Sequence, residues 1–255
     1  MHKVDAVILA GAPAEDGMVV PAEYPSRAMV QLAGKTMLQW IVDAMCEASC
    51  VERVIAVGKV TAKGLDLVLE PSDSFLGNMM LGIEACSGEQ VLVASSDIPL
   101  VTGAMIDDFL GQALGCGADM CYPIIPKRAC VAKYPELKRT YLKTREGTFT
   151  GGNMLLLSRE FCRRNEQQIA QAYAMRKKPM ALAASIGYGV LVRAIVAQIG
   201  FSSLLPIPML EQAVGRMLGG RISAIISEYP EIGEDADRLE ELKYFSAILQ
   251  KRIEC

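Results

Sequence analysis

The chain has 255 residues, of which 51% are hydrophobic and 22% are charged, and its formal net charge is -3. This composition is typical of a globular chain that is long enough to bury a full core. The absence of a strong basic excess argues against nucleic acid as a partner. Basic residues do cluster between 159 and 178, but Glu160 and Glu166 interleave with them, which favours a solvated helix face.

The cysteine and histidine pattern argues against a zinc site. None of the eight cysteines forms a CxxC pair, and the only histidine is His2. Reduced thiols are therefore the default expectation. The first residues lack the layout of a signal peptide and lead directly into a predicted strand, which predicts a cytoplasmic protein.

Apolar runs and helical repeats alternate along the chain. Strands are predicted at 4–9, 53–58, 67–69, 91–94, 118–123, 154–157 and 221–227. Helices are predicted at 36–48, 75–85, 103–114, 209–218 and 239–250, whereas 122–150 is less regular. This alternation indicates βαβ units, so we expect an α/β fold with a mostly parallel central sheet flanked by helices.

A turn of small residues follows the first strand. Ala10-Gly11-Ala12-Pro13 would let a ligand approach the backbone closely, and exposed amides there could hold phosphate oxygens. The turn is not GxGxxG, which disfavours a Rossmann dinucleotide site. Arg27, the first cation after the following loop, is either a surface arginine or a phosphate clamp.

Asp97 directly follows a buried apolar run, and Pro99 then forces the chain out of the sheet. Ligands bind at the carboxyl ends of strands in open α/β sheets, so the carboxylate is placed to face a crevice. A purely structural role, capping the next helix, is equally compatible with the local sequence.

Two later segments allow a structural and a functional interpretation. Thr150-Gly151-Gly152-Asn153 is either a tight turn or a place where backbone and amide groups crowd against a ligand. The acidic segment 231–242 could simply complement the dipole of the closing helix.

The apolar stretch 180–201 is not predicted to span a membrane. Three glycines and Arg193 interrupt it, and a charge at the bilayer centre costs about 2.5 kcal/mol or more. We interpret the region as one or two buried helices, and 179–220 as a helical lid or oligomerisation insert within a single domain spanning 1–255. A homodimer is possible.

Four motifs resemble the MobA-like nucleotidyltransferases in their order along the chain. Val7-Ile-Leu-Ala-Gly11, a loop, a basic residue and Gly34-Lys35-Thr-Met-Leu38 are similar to the family's LAGG, loop, Lys and GKPML. Asp97-Ile-Pro99 is similar to its metal-binding DxP strand end, and 150–153 to a TGGN segment of some members. Asp235-Ala-Asp237-Arg-Leu-Glu-Glu241-Leu resembles the late D-x-D-x-P-E-D-L element.

The resemblance implies a Rossmann-like GT-A nucleotidyltransferase fold in one domain. It also implies transfer of a nucleoside monophosphate from an NTP, CTP or GTP first, to a small phosphorylated acceptor, with release of pyrophosphate. Asp97 and Asp237 would hold Mg²⁺, which takes one or two protein oxygens besides phosphate and water. Arg27 would replace the usual lysine on the phosphates. The implied nucleotide contacts are Leu9, Ala10, Gly11, Ala12, Lys35, Asn78, Gly152 and Asn153.

This chain departs from the family pattern at the phosphate loop. Ala12 stands where a second glycine is usual, and its methyl group would limit phosphate approach if the position needs φ > 0. Glu15 and Asp16 would repel a triphosphate if they faced it. Lys35 and Lys143 are cations that could compensate.

Two other functions therefore stay open. One is a nucleotide-binding regulator that kept the fold and lost turnover. The other is a GT-A glycosyltransferase, although Ser95-Ser96-Asp97 lacks the first aspartate of the DxD that such enzymes place at the metal site.

Overall fold

A computed structural model describes residues 3–15, 17–175, 187–198 and 200–254. The strands are β1 Val4–Leu9, β2 Gln31–Leu32, β3 Lys35–Thr36, β4 Val51–Val57, β5 Leu67–Leu69, β6 Gln90–Ser95, β7 Met120–Pro126, β8 Leu142–Lys143, β9 Thr148–Gly151, β10 Met154–Ser158 and β11 Ile222–Ile226. The helices are α1 Met37–Glu47, α2 Phe75–Ala85, α3 Gly103–Ala113, α4 Lys127–Lys133, α5 Arg159–Arg164, α6 Glu166–Met175, α7 Tyr188–Gln198, α8 Ile207–Leu218 and α9 Leu239–Glu254.

The central sheet has the order β5-β4-β1-β6-β10-β7-β9-β8, and β11 pairs with β7. Strands β5, β4, β1 and β6 are parallel to one another, while β10 is antiparallel to both β6 and β7. The expected α/β fold with a mostly parallel sheet is confirmed. The carboxyl ends of β1, β4 and β6 lie at one edge, where parallel sheets bind ligands.

Successive residues of the central strands face opposite layers of helices, because side chains alternate along a strand. In β6, Leu92 and Ala94 pack into the core formed with α1 and α3. Val91 and Val93 pack into a second core that includes residues of α2 and α5. The result is a sheet with helices on both faces.

The less regular middle of the chain contains short elements that periodicity did not reveal. Strand β7 runs on past Pro123 to Pro126, whereas the predicted strand stopped at Pro123. A proline can lie in a strand where the ladder requires no N–H from it. The Pro123 carbonyl instead accepts the Gly152 N–H at 3.0 Å, which ties β7 to the turn between β9 and β10.

A third core joins the C-terminal helix α9 to the carboxyl edge. Phe245 and Leu249 of α9 are fully buried with Met37, Leu100 and Ala236. Because Ala236 belongs to this core, the acidic segment before α9 is held against the sheet.

The predicted insert at 179–220 lies partly outside the described residues, which contain only α7 and α8 from its helices. Val192 and Ile195 of α7 are 57% and 49% exposed. Within the described ranges, no helix has both the length and the apolar character required to cross a bilayer. The lid or oligomerisation role stays a prediction.

Candidate active site

The turn after β1 lies directly against the end of β4. The Ala10 N–H donates to the Val57 carbonyl at 2.9 Å. A Cβ on Gly58 would stand 2.5 Å from the Ala10 carbonyl oxygen, so only glycine permits this approach. Gly11 and Ala12 are exposed, and their backbone faces the carboxyl edge of the sheet.

Ser26 fixes the loop that leaves this turn. Its buried hydroxyl donates to the Ala10 carbonyl at 2.5 Å and lies 3.2 Å from the Ala12 carbonyl. The Arg27 N–H also donates to the Ala12 carbonyl, at 3.0 Å. These bonds bring the chain back from the loop and place Arg27 beside the turn.

Ala12 does not strain the turn. In the described part of the chain, the only non-glycine residue with positive φ is Ala33, at 49°, in the turn between β2 and β3. The Ala12 methyl therefore carries no left-handed strain of the kind considered from the sequence. Glu15 is exposed, and Asp16 lies outside the described residues.

Arg27 bridges Asp97 and Asp237. One guanidinium nitrogen donates to Asp97 Oδ2 and the other to Asp237 Oδ1, each at 2.5 Å. The Arg27 and Asp97 side chains are 15% and 9% exposed, whereas that of Asp237 is 52% exposed. The two predicted metal ligands thus lie on either side of a single cation at the carboxyl edge.

Asp97 does not cap the helix that follows it, because α3 begins at Gly103 with Thr102 at its N-cap. The second oxygen of Asp97 instead accepts a hydrogen bond from the Ser95 hydroxyl. Burial raises the pKa of the Asp97 carboxyl, and the charge of Asp237 raises it further, while Ser95 and Arg27 oppose these effects. A buried carboxylate whose negative charge is only partly compensated is stabilised by additional positive charge nearby.

The segment that carries Asp237 is attached to the sheet through its backbone. The Ala236 N–H donates to the Asp97 carbonyl at 2.8 Å. Glu241 accepts hydrogen bonds from the Asp237 and Arg238 N–H groups at 3.0 and 2.9 Å, and so caps α9. The acidic segment therefore both caps a helix and delivers a carboxylate to Arg27.

Gly152 and Asn153 dock this same segment. The Asn153 N–H donates to the Ile232 carbonyl at 2.8 Å, and the Asn153 side chain donates to the Gly233 carbonyl at 3.2 Å. A Cβ on Gly152 would stand 2.8 Å from Pro123 Cγ and 2.9 Å from Ile232 Cγ2. The structure thus gives both residues a contact with protein backbone, where the sequence predicted a ligand contact.

Asn78 and Leu9, which are also predicted to contact the nucleotide, both lie near the end of β1. Asn78 lies beside Gly11, since a Cβ on Gly11 would stand 2.9 Å from Asn78 Nδ2. The Oδ1 of Asn78 accepts a hydrogen bond from the Ser72 N–H at 2.6 Å. The Leu9 carbonyl accepts from the Ser96 N–H at 3.3 Å and joins β1 to the Asp97 loop.

Lys35 and Lys143, the two lysines that could compensate for the changes in the phosphate loop, have partners other than Asp97 and Asp237. Lys35 pairs with Asp43 at 2.6 Å and lies 4.6 Å from the ring centroid of Trp40. Lys143 donates to the Gln198 carbonyl at 2.8 Å.

Arg139 is a site residue that the sequence analysis missed. Its Nη1 lies 3.1 Å from Glu234 Oε2 and 3.3 Å from Asp235 Oδ1. Burial raises the pKa of Glu234, and Arg139 offsets only part of that effect. Arg139 belongs to the irregular stretch 122–150, where no local pattern marked it.

A cavity of about 660 Å³ opens beside Asp237. Its walls are formed by Glu136, Leu137, Lys138, Arg139, Thr140, Thr150, Glu234, Asp235, Asp237, Arg238, Glu240, Glu241 and Tyr244. The volume is in the range of small-molecule sites.

The carboxylates at this edge suit a hard divalent cation only in part. Within the described ranges, no three His, Cys, Asp or Glu side chains form a ready metal-binding group. Mg²⁺ commonly takes just one or two carboxylates and completes its shell with phosphate oxygens and water. Asp97 and Asp237, already arranged around one cation, fit that donor set.

The fold and this edge define an α/β enzyme of the nucleotidyltransferase class. A sequence profile described as the MobA-like NTP transferase domain matches residues 6–184. The chain belongs to this family. No curated protein matches it significantly.

Solved structures of similar fold agree. A "Hpothetical Transferase Structure from Thermus thermophilus" is 34% identical, with a TM-score of 0.80, 95% coverage of this chain and 100% of that chain. The 2-C-methyl-D-erythritol 4-phosphate cytidylyltransferase from Thermus thermophilus is 16% identical, with a TM-score of 0.56 and coverage of 96% and 98%. A CMP:2-keto-3-deoxy-manno-octonic acid synthetase complexed with CTP is 13% identical, with a TM-score of 0.57 and coverage of 97% and 99%.

Proposed function

We propose that the protein is a Mg²⁺-dependent nucleotidyltransferase, which moves a nucleoside monophosphate from an NTP to a small phosphorylated acceptor and releases pyrophosphate. The observation that carries the proposal is the bridge from Arg27 to Asp97 and Asp237 at the carboxyl edge. It places two carboxylates and a phosphate-binding side chain beside the exposed turn at Gly11.

The turn and Arg27 would bind the triphosphate. Exposed backbone at Gly11 and Ala12 can approach phosphate oxygens, and a guanidinium offers them paired donors. In the structure those donors contact the carboxylates of Asp97 and Asp237. Arg27 would exchange at least one of them for phosphate, which would free the carboxylate oxygens.

Asp97 and Asp237 would hold Mg²⁺, whose charge would offset the negative charge on the α-phosphate and the leaving pyrophosphate. An ionised acceptor phosphate would attack the α-phosphorus as its bond to the bridging oxygen of pyrophosphate breaks. Such a nucleophile requires no general base, which suits a chain whose only histidine is His2. Positioning and charge compensation would then supply most of the rate enhancement.

CTP is the first nucleotide to test, followed by GTP. Two structures of similar fold are a cytidylyltransferase and a synthetase complexed with CTP, although their low identity supports only the fold. Asn78, whose Nδ2 lies beside Gly11, would lie near the base. A cytoplasmic location agrees with the free cysteines at 46, 50, 86, 116, 121, 130 and 162.

Thermal shift with ATP, CTP, GTP and UTP, with and without Mg²⁺, tests nucleotide binding. A ligand at a hundred times its dissociation constant adds about 2.7 kcal/mol to the free energy of unfolding. We expect a Mg²⁺-dependent shift with one nucleotide and pyrophosphate release once an acceptor is added. Binding without pyrophosphate release across a broad acceptor panel would favour the regulator, and transfer from a nucleotide-sugar would favour the glycosyltransferase.

A further inference from the structure

The cavity beside Asp237 reaches one of the two carboxylates that we assign to Mg²⁺, because Asp237 forms part of its wall. A molecule bound there would therefore lie next to the atoms that we assign to nucleotidyl transfer. This position suits the acceptor.

The wall of this cavity is negatively charged. Its carboxylates outnumber its basic side chains by six to three, the basic ones being Lys138, Arg139 and Arg238. A surplus of carboxylates attracts a cationic group and repels an anionic one. The part of the acceptor that enters the cavity should therefore be positively charged.

Glu234 is a buried carboxylate of this wall whose negative charge is only partly compensated. It is 3% exposed, and its Oε1 has no hydrogen-bond partner in the part of the chain that the structure describes. Its other oxygen lies 3.1 Å from Arg139, which also serves Asp235 at 3.3 Å. One guanidinium thus compensates two carboxylates, and a buried acceptor without a donor is costly.

Tyr244 adds an aromatic surface to the same wall. Its ring packs edge-on against Tyr134, with centroids 6.4 Å apart. Aromatic faces attract ammonium groups, and more strongly where water is excluded.

We infer that the acceptor is a phosphorylated amino alcohol, with its phosphate toward Arg27 and its ammonium group among Glu234, Asp235 and Tyr244. This inference rests on the proposed function and specifies its substrate class. The molecule would place opposite charges at the two ends of the site, each facing its complement.

The experiment compares three acceptors that differ at the end remote from phosphate. Phosphoethanolamine carries an ammonium group there, glycerol 3-phosphate is neutral and 3-phosphoglycerate is anionic. Pyrophosphate release is measured with Mg²⁺ and the nucleotide that gives the thermal shift. We expect kcat/KM for phosphoethanolamine to exceed the other two by about tenfold or more, the effect of one charge-assisted contact.

Two variants locate the effect. Asp235→Asn should lower the ratio of kcat/KM for phosphoethanolamine to that for glycerol 3-phosphate by about tenfold. Glu160→Gln removes the same charge at an exposed position of α5 and should leave the ratio unchanged. If Asp235→Asn instead weakens the Mg²⁺–nucleotide shift and all acceptors equally, Asp235 serves the nucleotide and the inference is overturned.

A measurement of nucleotide binding distinguishes failure of this inference from failure of the proposed function. A Mg²⁺–nucleotide shift combined with equal or better use of 3-phosphoglycerate overturns the inference and leaves nucleotidyl transfer intact. No shift with any nucleotide overturns the proposed function. If none of the three acceptors is turned over, calorimetric titration of each into the Mg²⁺–nucleotide complex decides, and tighter binding of the neutral or anionic compound counts against the inference.

Discussion

The Arg27 guanidinium lies 2.5 Å from the Asp97 carboxylate and reaches Asp237 through its other terminal nitrogen at the same distance. The guanidinium thus lies between the two carboxylates. Arg27 and a divalent cation would compete for the same oxygens. Nucleotide binding would relieve this competition, because phosphate gives the guanidinium another partner.

Arg27→Met tests this competition without turnover. The change leaves two carboxylates facing each other, so we expect a loss of about 1–3 kcal/mol, less than for a fully buried pair because Asp237 is half exposed. Mg²⁺ alone should then raise Tm more in the variant than in the wild type. Arg163→Met, which breaks an exposed pair with Glu84, is the control. Equal Mg²⁺ responses in all three proteins would argue against competition.

Gly152→Ala tests the docking of the Asp237 segment. The new methyl would meet Pro123 and Ile232, so we expect a loss of about 1–3 kcal/mol from overpacking and weaker Mg²⁺–nucleotide binding. Gly111→Ala is the matched control, since a Cβ there meets nothing within 4 Å and the helix α3 should gain about 0.5–1 kcal/mol. Urea unfolding measures both. A stable Gly152→Ala variant with unchanged ligand binding would contradict the proposed docking.

Glu241→Ala should destabilise α9 by removing its cap. We expect a cost of about 0.5–2 kcal/mol and a lower kcat/KM, because the Asp237 N–H loses its partner. Glu254→Ala makes the same chemical change at an exposed position near the end of α9, outside the cavity wall, and should cost less. Thermal unfolding and steady-state kinetics check the pair, and equal effects would remove the link between the cap and Asp237.

Asp5 should make stability depend on pH at the acid end. Burial alone would raise the pKa of Asp5, but hydrogen bonds from Arg53 and the Ser87 N–H hold it below its ordinary value. The contribution is therefore full above the unfolded pKa of about 3.9 and is lost as pH falls through the lower folded value.

Asp5→Asn should accordingly cost about 1–3 kcal/mol at pH 7, reduced by the partial exposure of Arg53. The difference from the wild type should shrink at pH 3. Urea titrations at the two pH values measure it, and a difference that grew on acidification would have the wrong sign.

The sequence predicted those parts of the protein that depend on local pattern. β5 and α2 have the predicted bounds, and Asp97 lies at a strand end as expected. The expectation that Arg27, Asp97 and Asp237 lie together came from the order of the family motifs along the sequence. No local feature of the sequence places these three residues together.

The missed features depend on pairing between distant segments. Strand β10 lies antiparallel between β6 and β7, an arrangement that short apolar runs cannot specify. Arg139 is held in position by β9 and by the acidic segment. Neither is adjacent to Arg139 in the sequence, and Arg139 itself lies in an irregular stretch. Gly152 is also required for packing, because a Cβ there would meet the side chains of Pro123 and Ile232, while its contact with a nucleotide stays a prediction.

Asp97→Asn in the pyrophosphate-release assay, with Mg²⁺, the bound nucleotide and the preferred acceptor, tests the central claim most directly. The substitution keeps the shape of a side chain whose charge is buried, so Tm should be unchanged or slightly higher. If Asp97 holds Mg²⁺, turnover that depends on Mg²⁺ should fall by about a hundredfold or more. A correctly folded variant that releases pyrophosphate at the wild-type rate would contradict it.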